Sequence, residues 1–368
     1  DTNTNCLLVD SGEGVNVEQD LGDDEFLSAI LLTHAHADHY QTLSRNVMDG
    51  AKVLTTPATA SVLENVLSEA SKHSKEGNVD WSRIEGSVKP IENWYSVTSD
   101  IEVLPVPAGH IPGACGFLVR FDDDKHILAT GDFTFERAAG YPALPEEELR
   151  EVGIDVLFLN GSTSEPGELT ESVKEILKQT VSGGHVLVTA SGMDCLKYVY
   201  VLGHLIEERE LGFRVSIAGQ AAKIYNDLGY DVPNVIPHPV FESTDEILES
   251  DISVAGPKDH SKGTSKKLLN EIRDDPSATL VHVHGSSDRS TISAGCTVND
   301  FEYVNHPTQD EVRGLVENLN PIHTIIQHGG INEWGDVFDF TMTWADKKKE
   351  TRKLYSDGEW KPPGWLNE

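Results

Sequence analysis

Cysteine is scarce in this chain. Cys6, Cys115, Cys195 and Cys296 lie far apart and form no CxxC pair, so neither a disulfide framework nor a cysteine zinc cluster organises the fold, and a reducing cytoplasm fits best. Long apolar runs are missing too. Nothing approaches the roughly 20 residues that span a bilayer. Residues 1–15 hold no Lys or Arg and only the short run Cys6 to Val9, so no signal peptide is expected and the chain reads as soluble. Basic residues are few: 29 Lys plus Arg stand against 61 Asp plus Glu, a formal charge of −32 over 368 residues. The one basic run of three, Lys347 to Lys349, is too little for a broad basic face that grips nucleic acid. The acid is spread (Asp23 to Glu25, Asp122 to Asp124, Glu146 to Glu148, Glu207 to Glu210, Asp274-Asp275) rather than gathered in one tail. That distribution reads as a salt-adapted surface. In the molar salt of a halophile's interior the Debye length is about 3 Å and self-repulsion costs little.

What is present is an ordinary globular composition, 38% hydrophobic with 31 Gly and 17 Pro, which argues against disorder, collagen or a coiled coil. The length allows two domains, since single cores stop growing near roughly 250–300 residues. β-Branched apolar runs at Cys6 to Val9, Ala29 to Leu32, Ile101 to Val106, Gly116 to Val119, Ile127 to Ala129 and Val156 to Leu159 read as buried strands. Pro57 to Ser71 and Ser172 to Thr180 carry helical spacing. From about residue 165 the pattern becomes β-α units: Val186 to Thr189 with Asp194 to Glu208, Arg214 to Ala218 with Ala221 to Leu228, and Ile252 to Ala255 with Ser265 to Arg273. After the strand Thr279 to Val283, the segments Asp310 to Leu319 and Ile322 to Gln327 return to a helix and a strand. The simplest arrangement is one domain interrupted by another. The first strand begins only five residues after residue 1, so an N-terminus that starts inside a longer chain is expected.

The strongest chemical signal is Thr33-His34-Ala35-His36-Ala37-Asp38-His39, directly after a strand. Three imidazoles and a carboxylate in a strand-end loop are the nitrogen and oxygen donors that Zn²⁺ and its neighbours bind. The spacing lets His34 and His36 point to one metal while Asp38 and His39 turn to another. His110, in Ala108-Gly109-His110-Ile111-Pro112-Gly113, and Asp132, in Gly131-Asp132-Phe133, sit in Gly-containing turns. Each would read as a plain turn alone; behind HxHxDH they gain weight together.

Residues 6–136 resemble the metallo-β-lactamase superfamily. Leu8-Val9-Asp10-Ser11-Gly12 is similar to its first aspartate motif, HxHxDH to its second, His110 to its third and Asp132 to its fourth. Gly113-Ala114-Cys115-Gly116-Phe117, a strand and Gly131-Asp132-Phe133 resemble the β-CASP nucleases, which insert a second α/β domain and then return to two histidines. Asn305-His306-Pro307-Thr308 resembles motif B and Gln327-His328-Gly329 motif C. The resemblance covers about residues 5–335. It implies an αββα sandwich with an inserted α/β β-CASP domain: 1–164 as the first part, 165–297 as the insert, 298–345 as the return and 346–368 as a tail. The insert is expected to close over the metals as a strand-sized cleft. It further implies two Zn²⁺, or Mn²⁺: His34, His36 and His110 on one, Asp38, His39 and His328 on the other, Asp132 bridging, and Asp10 steadying the ligand loop. His306 would give a proton to the leaving oxygen or touch the scissile phosphate. The implied reaction is hydrolysis of phosphodiester bonds in single-stranded RNA by a metal-bridging hydroxide, since paired cations lower a water pKa toward roughly 7. Two alternatives stay open: a metal-binding noncatalytic partner subunit, and a dinuclear hydrolase of a small ester or phosphodiester. A homo-oligomer is compatible with either.

The sequence departs from the family pattern in two places. Motif A is an acid just before Ser-Thr, where this chain has Gly161-Ser162-Thr163, so His306 is expected to lack its carboxylate partner unless Glu165 reaches back. The turn after the insert's first strand, Thr189 to Asp194, holds no arginine to meet a phosphate; Arg289, in the loop His284 to Ser290, is a candidate substitute although a plain turn reads better. His282 and His284 read as ordinary strand residues, and Asp23 to Glu25 and Lys347 to Lys349 as solvated. The tail Trp360 to Trp365 is expected to dock on its own domain.

Overall fold

A computed structural model of the chain describes residues 4–12, 14–48, 50–71, 80–121, 124–164, 169–257, 262–284, 292, 294–303, 305–327 and 343–344. In chain order its strands are β1 (Thr4–Val9), β2 (Glu25–Leu31), β3 (Lys52–Thr55), β4 (Val88–Pro90), β5 (Tyr95–Ser96), β6 (Ile101–Pro107), β7 (Cys115–Phe121), β8 (His126–Ala129) and β9 (Val156–Asn160), then β10 (Val186–Thr189), β11 (Val215–Ala218), β12 (Val235–His238), β13 (Ile252–Ala255), β14 (Thr279–His284) and β15 (Thr297–Glu302), and finally β16 (His323–Gln327) and β17 (Thr343–Trp344). Two compact units separate: residues 1–137, 141–163 and 306–368, and residues 138–140 with 164–305.

The first unit is an αββα sandwich. One sheet runs β1-β2-β3-β4, all parallel, and the other β17-β16-β9-β8-β7-β6-β5. Their facing residues form one core: Ala29, Leu31 and Leu54 from the first sheet meet Val103, Phe117, Ile127 and Val156 from the second. The helix Pro57–Ser71 starts on a proline, which is pre-set for a first turn. It buries Val62, Leu63, Val66 and Leu67, one side of a 3.6-residue period. The helices Glu146–Val152 and Gln309–Leu319 pack on each other. Gln309–Leu319 shows how local sequence fixes a boundary. Thr308 and Glu311 form a capping box at its start, Val312, Leu315, Val316 and Leu319 face the interior, and Asn320 ends it in the left-handed region at φ 46°.

Strand direction positions the site. β6 and β8 are each antiparallel to β7, and β8, β9 and β16 are parallel. The C-terminal ends of β6, β8, β9 and β16 therefore share one edge, where loops can converge.

The second unit is a six-stranded parallel sheet in the order β12-β11-β13-β10-β14-β15. Its helices Leu169–Val181, Asp194–Glu208, Gln220–Asp227 and Gly263–Ile272 alternate with the strands as the β-α pattern predicts. One boundary differs from the sequence reading. β15 is hydrogen-bonded to β14 along its length, so residues 298–302 belong to the insert's sheet and the return begins at 306 rather than 298. Thr297-Val298-Asn299-Asp300-Phe301-Glu302 has no apolar run to mark it as a strand; it is an edge strand with mostly polar side chains. Among the described residues no helix is long and apolar enough to cross a membrane.

Candidate metal centre

The ligand loop is anchored before it reaches the site. Asp10, just past β1, sits at φ 58°, a left-handed conformation that a non-glycine residue holds only when its surroundings enforce it. Its carboxylate accepts hydrogen bonds from the Thr33 backbone N (2.8 Å) and Thr33 Oγ1 (2.8 Å), and meets His39 Nδ1 at 2.7 Å. Thr33 Oγ1 gives its proton to Asp10, so at 2.9 Å it accepts from His34 Nδ1. Both imidazoles thus have Nδ1 occupied as a donor and turn Nε2 inward. Partners of this kind fix tautomer and orientation around a metal. Gly12 lets the segment pass: a Cβ there would lie 2.1 Å from the Asp38 carbonyl oxygen. The Ser11 N donates to His39 O at 2.7 Å and ties the two loops together.

Inside this frame His34, His110 and Asp132 are buried and His36 is half-buried. One donor atom from each of these four lies within 4.8 Å of the others. His36 Nδ1 is 3.1 Å from His34 Nε2 and 3.1 Å from His110 Nε2. Asp132 Oδ2 stands 3.8 Å from His34 Nε2 and 3.5 Å from His110 Nε2. Three ring nitrogens and a carboxylate oxygen converge closely enough for one cation to meet them at once. Three nitrogens and one oxygen suit zinc and its neighbours. The residues fit a metal.

A second group adjoins it. His39 Nε2 lies 3.7 Å from Asp38 Oδ2 and 3.6 Å from Asp132 Oδ1, with Asp38 exposed. His328, the remaining predicted ligand, lies outside the described residues. His306 Nε2 is 3.9 Å from Asp132 Oδ2, and its ring lies 4.9 Å from that of His110 at 31°.

The electrostatics follow from this crowding. Burial first, then the neighbouring imidazoles, hold His34 well below the usual histidine range. Burial works against charge on His39 too, but Asp10, by proximity and hydrogen bond, outweighs it and holds the ring up at about 9. Burial pushes Asp132 up to about 6, with Asp38 and Asp10 adding to it and His39 and the Asn160 hydrogen bond opposing.

Residues 7–194 match the model of the β-lactamase superfamily domain. The chain belongs to the β-lactamase superfamily. Its sequence relatives fit the β-CASP branch. Ribonuclease TTHA0252 of Thermus thermophilus is 27% identical over 220 residues, 55% of this chain and 50% of that protein. The DNA cross-link repair 1A protein of Mus musculus is 26% identical over 179 residues, 48% of this chain and 16% of that protein. The chain thus spans half the length of the first relative or less. A protein of unknown function from Enterococcus faecalis shares the fold, with a TM-score of 0.63 at 14% identity over 90% of this chain and 82% of that one.

Gly161 takes part through its backbone, donating its N–H to Gln327 O at 2.6 Å in line with the β9–β16 ladder. The side chain that reaches the centre is that of Asn160, buried at the end of β9, whose Nδ2 donates to Asp132 Oδ1. Sequence reasoning missed it because it fixed on the residue before Ser162-Thr163. The alternation of β9, which turns Phe158 and Asn160 to one face, was the available signal. Glu165 and Arg289 lie outside the described residues. Gly131, at φ 57°, carries the Asp132 turn; a Cβ there would press on Thr33 Cβ at 2.8 Å. His282 and His284 are buried on β14, His282 Nδ1 lying 2.9 Å from Asp300 Oδ1.

Proposed function

We propose that the chain is a zinc-dependent nuclease that cleaves phosphodiester bonds of single-stranded RNA in the cytoplasm of a salt-adapted cell. The observation that carries this reading is the convergence of His34, His36, His110 and Asp132 donor atoms within 4.8 Å, with a second carboxylate–imidazole group at its side. Divalent cations bound there would supply Lewis acidity and a nucleophile at neutral pH. His34, His36 and His110 would hold one cation, Asp38 and His39, with His328 as the sequence implies, would hold the other, and Asp132 would serve both. Asp10 engages His39 Nδ1, so that Nε2 is the atom His39 would offer a cation. His306, two residues before the capping Thr308 and 3.9 Å from Asp132 Oδ2, would carry on Nε2 the proton for the leaving oxygen. The match to a protein named a ribonuclease runs longer than the matches to proteins named for DNA cross-link repair, which supports RNA over DNA.

The test is cleavage of end-labelled single-stranded RNA with zinc in about 2–3 M KCl, where the acidic surface is screened. Cleavage by the parent and none by an Asp38→Ala, His39→Ala double variant is the expected result. A protein that binds zinc but cleaves no phosphodiester would overturn it in favour of a noncatalytic partner subunit. Equal cleavage of single-stranded DNA would overturn the RNA assignment.

A further inference from the structure

Asp132 is held unequally. Its Oδ2 faces His34, His110 and His306 at 3.8, 3.5 and 3.9 Å, while its Oδ1 faces His39 at 3.6 Å and also takes the hydrogen bond from Asn160 Nδ2. The amide that gives this bond cannot turn over. Its Oδ1 accepts from the Ser162 backbone N at 2.7 Å, and the Asn160 backbone N donates to Thr130 Oγ1 at 3.1 Å. Only the orientation with NH₂ toward Asp132 satisfies both ends, and an acid at this position would have no proton to offer.

From this we infer that Asn160 is a positioning residue that makes the two cation positions unequal. It fixes the carboxylate so that Oδ2 is presented whole to the buried His34, His36 and His110 cluster, and it occupies one lone pair of the Oδ1 that the second position must use. The second position is handicapped further by Asp38, whose side chain is 71% exposed and therefore costly to order. The first cation binds tightly and the second loosely. This rests on the metal-dependent reading above and adds to it an order of loading set by one neutral side chain.

Titration of metal-free protein with Zn²⁺ against a chromophoric chelator, at fixed salt, reads both steps without any assay of turnover. The parent should load in two steps separated by at least about tenfold. In Asn160→Ala and Asn160→Leu the first step should weaken by about 10–100-fold, the usual cost of losing a partner that orients a ligand. The separation between the steps should also narrow, because Oδ1 regains a lone pair. A merely structural role would weaken both steps alike and leave the separation unchanged. Asn160→Leu keeps about the size of the side chain and adds no charge beside Asp132, so a cooperative thermal transition of both metal-free variants serves as the control for folding. Variants that load with the parent's affinities and spacing would overturn the inference and leave the metal reading standing. A parent that takes up no zinc would overturn both.

Discussion

Asp10 and Gly12 do their work without touching the reacting position. Replacing Asp10 by Asn leaves one acceptor where two oxygens now serve Thr33 and His39, so His39 loses its fixed tautomer. Zinc affinity is expected to fall about 10–100-fold, measured by chelator competition. Gly12→Ala is expected to do more. A Cβ 2.1 Å from the Asp38 carbonyl forces the ligand loop to move, so both zinc affinity and the melting temperature should drop. Farther off, His185 donates from Nδ1 to Ser250 O at 3.0 Å, and burial lowers its pKa below 6.5. The folded state then resists protonation more than the unfolded chain does. The contribution is fully present above pH 6.5 and is lost as the pH falls below it. His185→Gln should flatten the decline in denaturant midpoint between pH 7 and pH 5.

At the scale of elements, what was legible in the sequence was what periodicity writes strongly. Pro57–Ser71, Val186–Thr189, Asp194–Glu208 and Ile252–Ala255 have the bounds that their apolar patterns predict. The apolar pattern does not mark β3, β4, β5, β12, β15 or β17. β12 is an edge strand containing Pro237, and β15 is polar along an edge, so tertiary hydrogen bonding rather than propensity makes them strands. The same limit applied to the centre. HxHxDH, His110 and Asp132 stand out as residue types in turns, but an Asn at a strand end gains meaning only from what lies across from it. The element behind His306 offers its own test. Thr308→Ala removes the capping box of Gln309–Leu319 and should cost about 1 kcal/mol in denaturant unfolding. It should lower RNA cleavage more than zinc binding, since that helix start places His306 and no described member of the four-donor cluster.

For the whole molecule, the charge of −32 sets the conditions of every other measurement. At 0.01 M ionic strength the Debye length is about 30 Å and like charges repel across the fold; at 1 M it is about 3 Å. The denaturant midpoint is expected to rise with KCl over that range, and cleavage with it. The origin of the ligands adds one more property. His34 and His36 hang from the end of β2 in the four-stranded sheet, while His110 and Asp132 follow β6 and β8 in the other. A cation among them is a staple between two layers, joining points about a hundred residues apart in the chain that come together only when both sheets are formed. The unfolded chain has no equivalent site, so binding energy becomes folding energy. At free zinc near a hundred times its dissociation constant this adds about 2.7 kcal/mol. Chelation should therefore lower the melting temperature even of protein that is given no substrate.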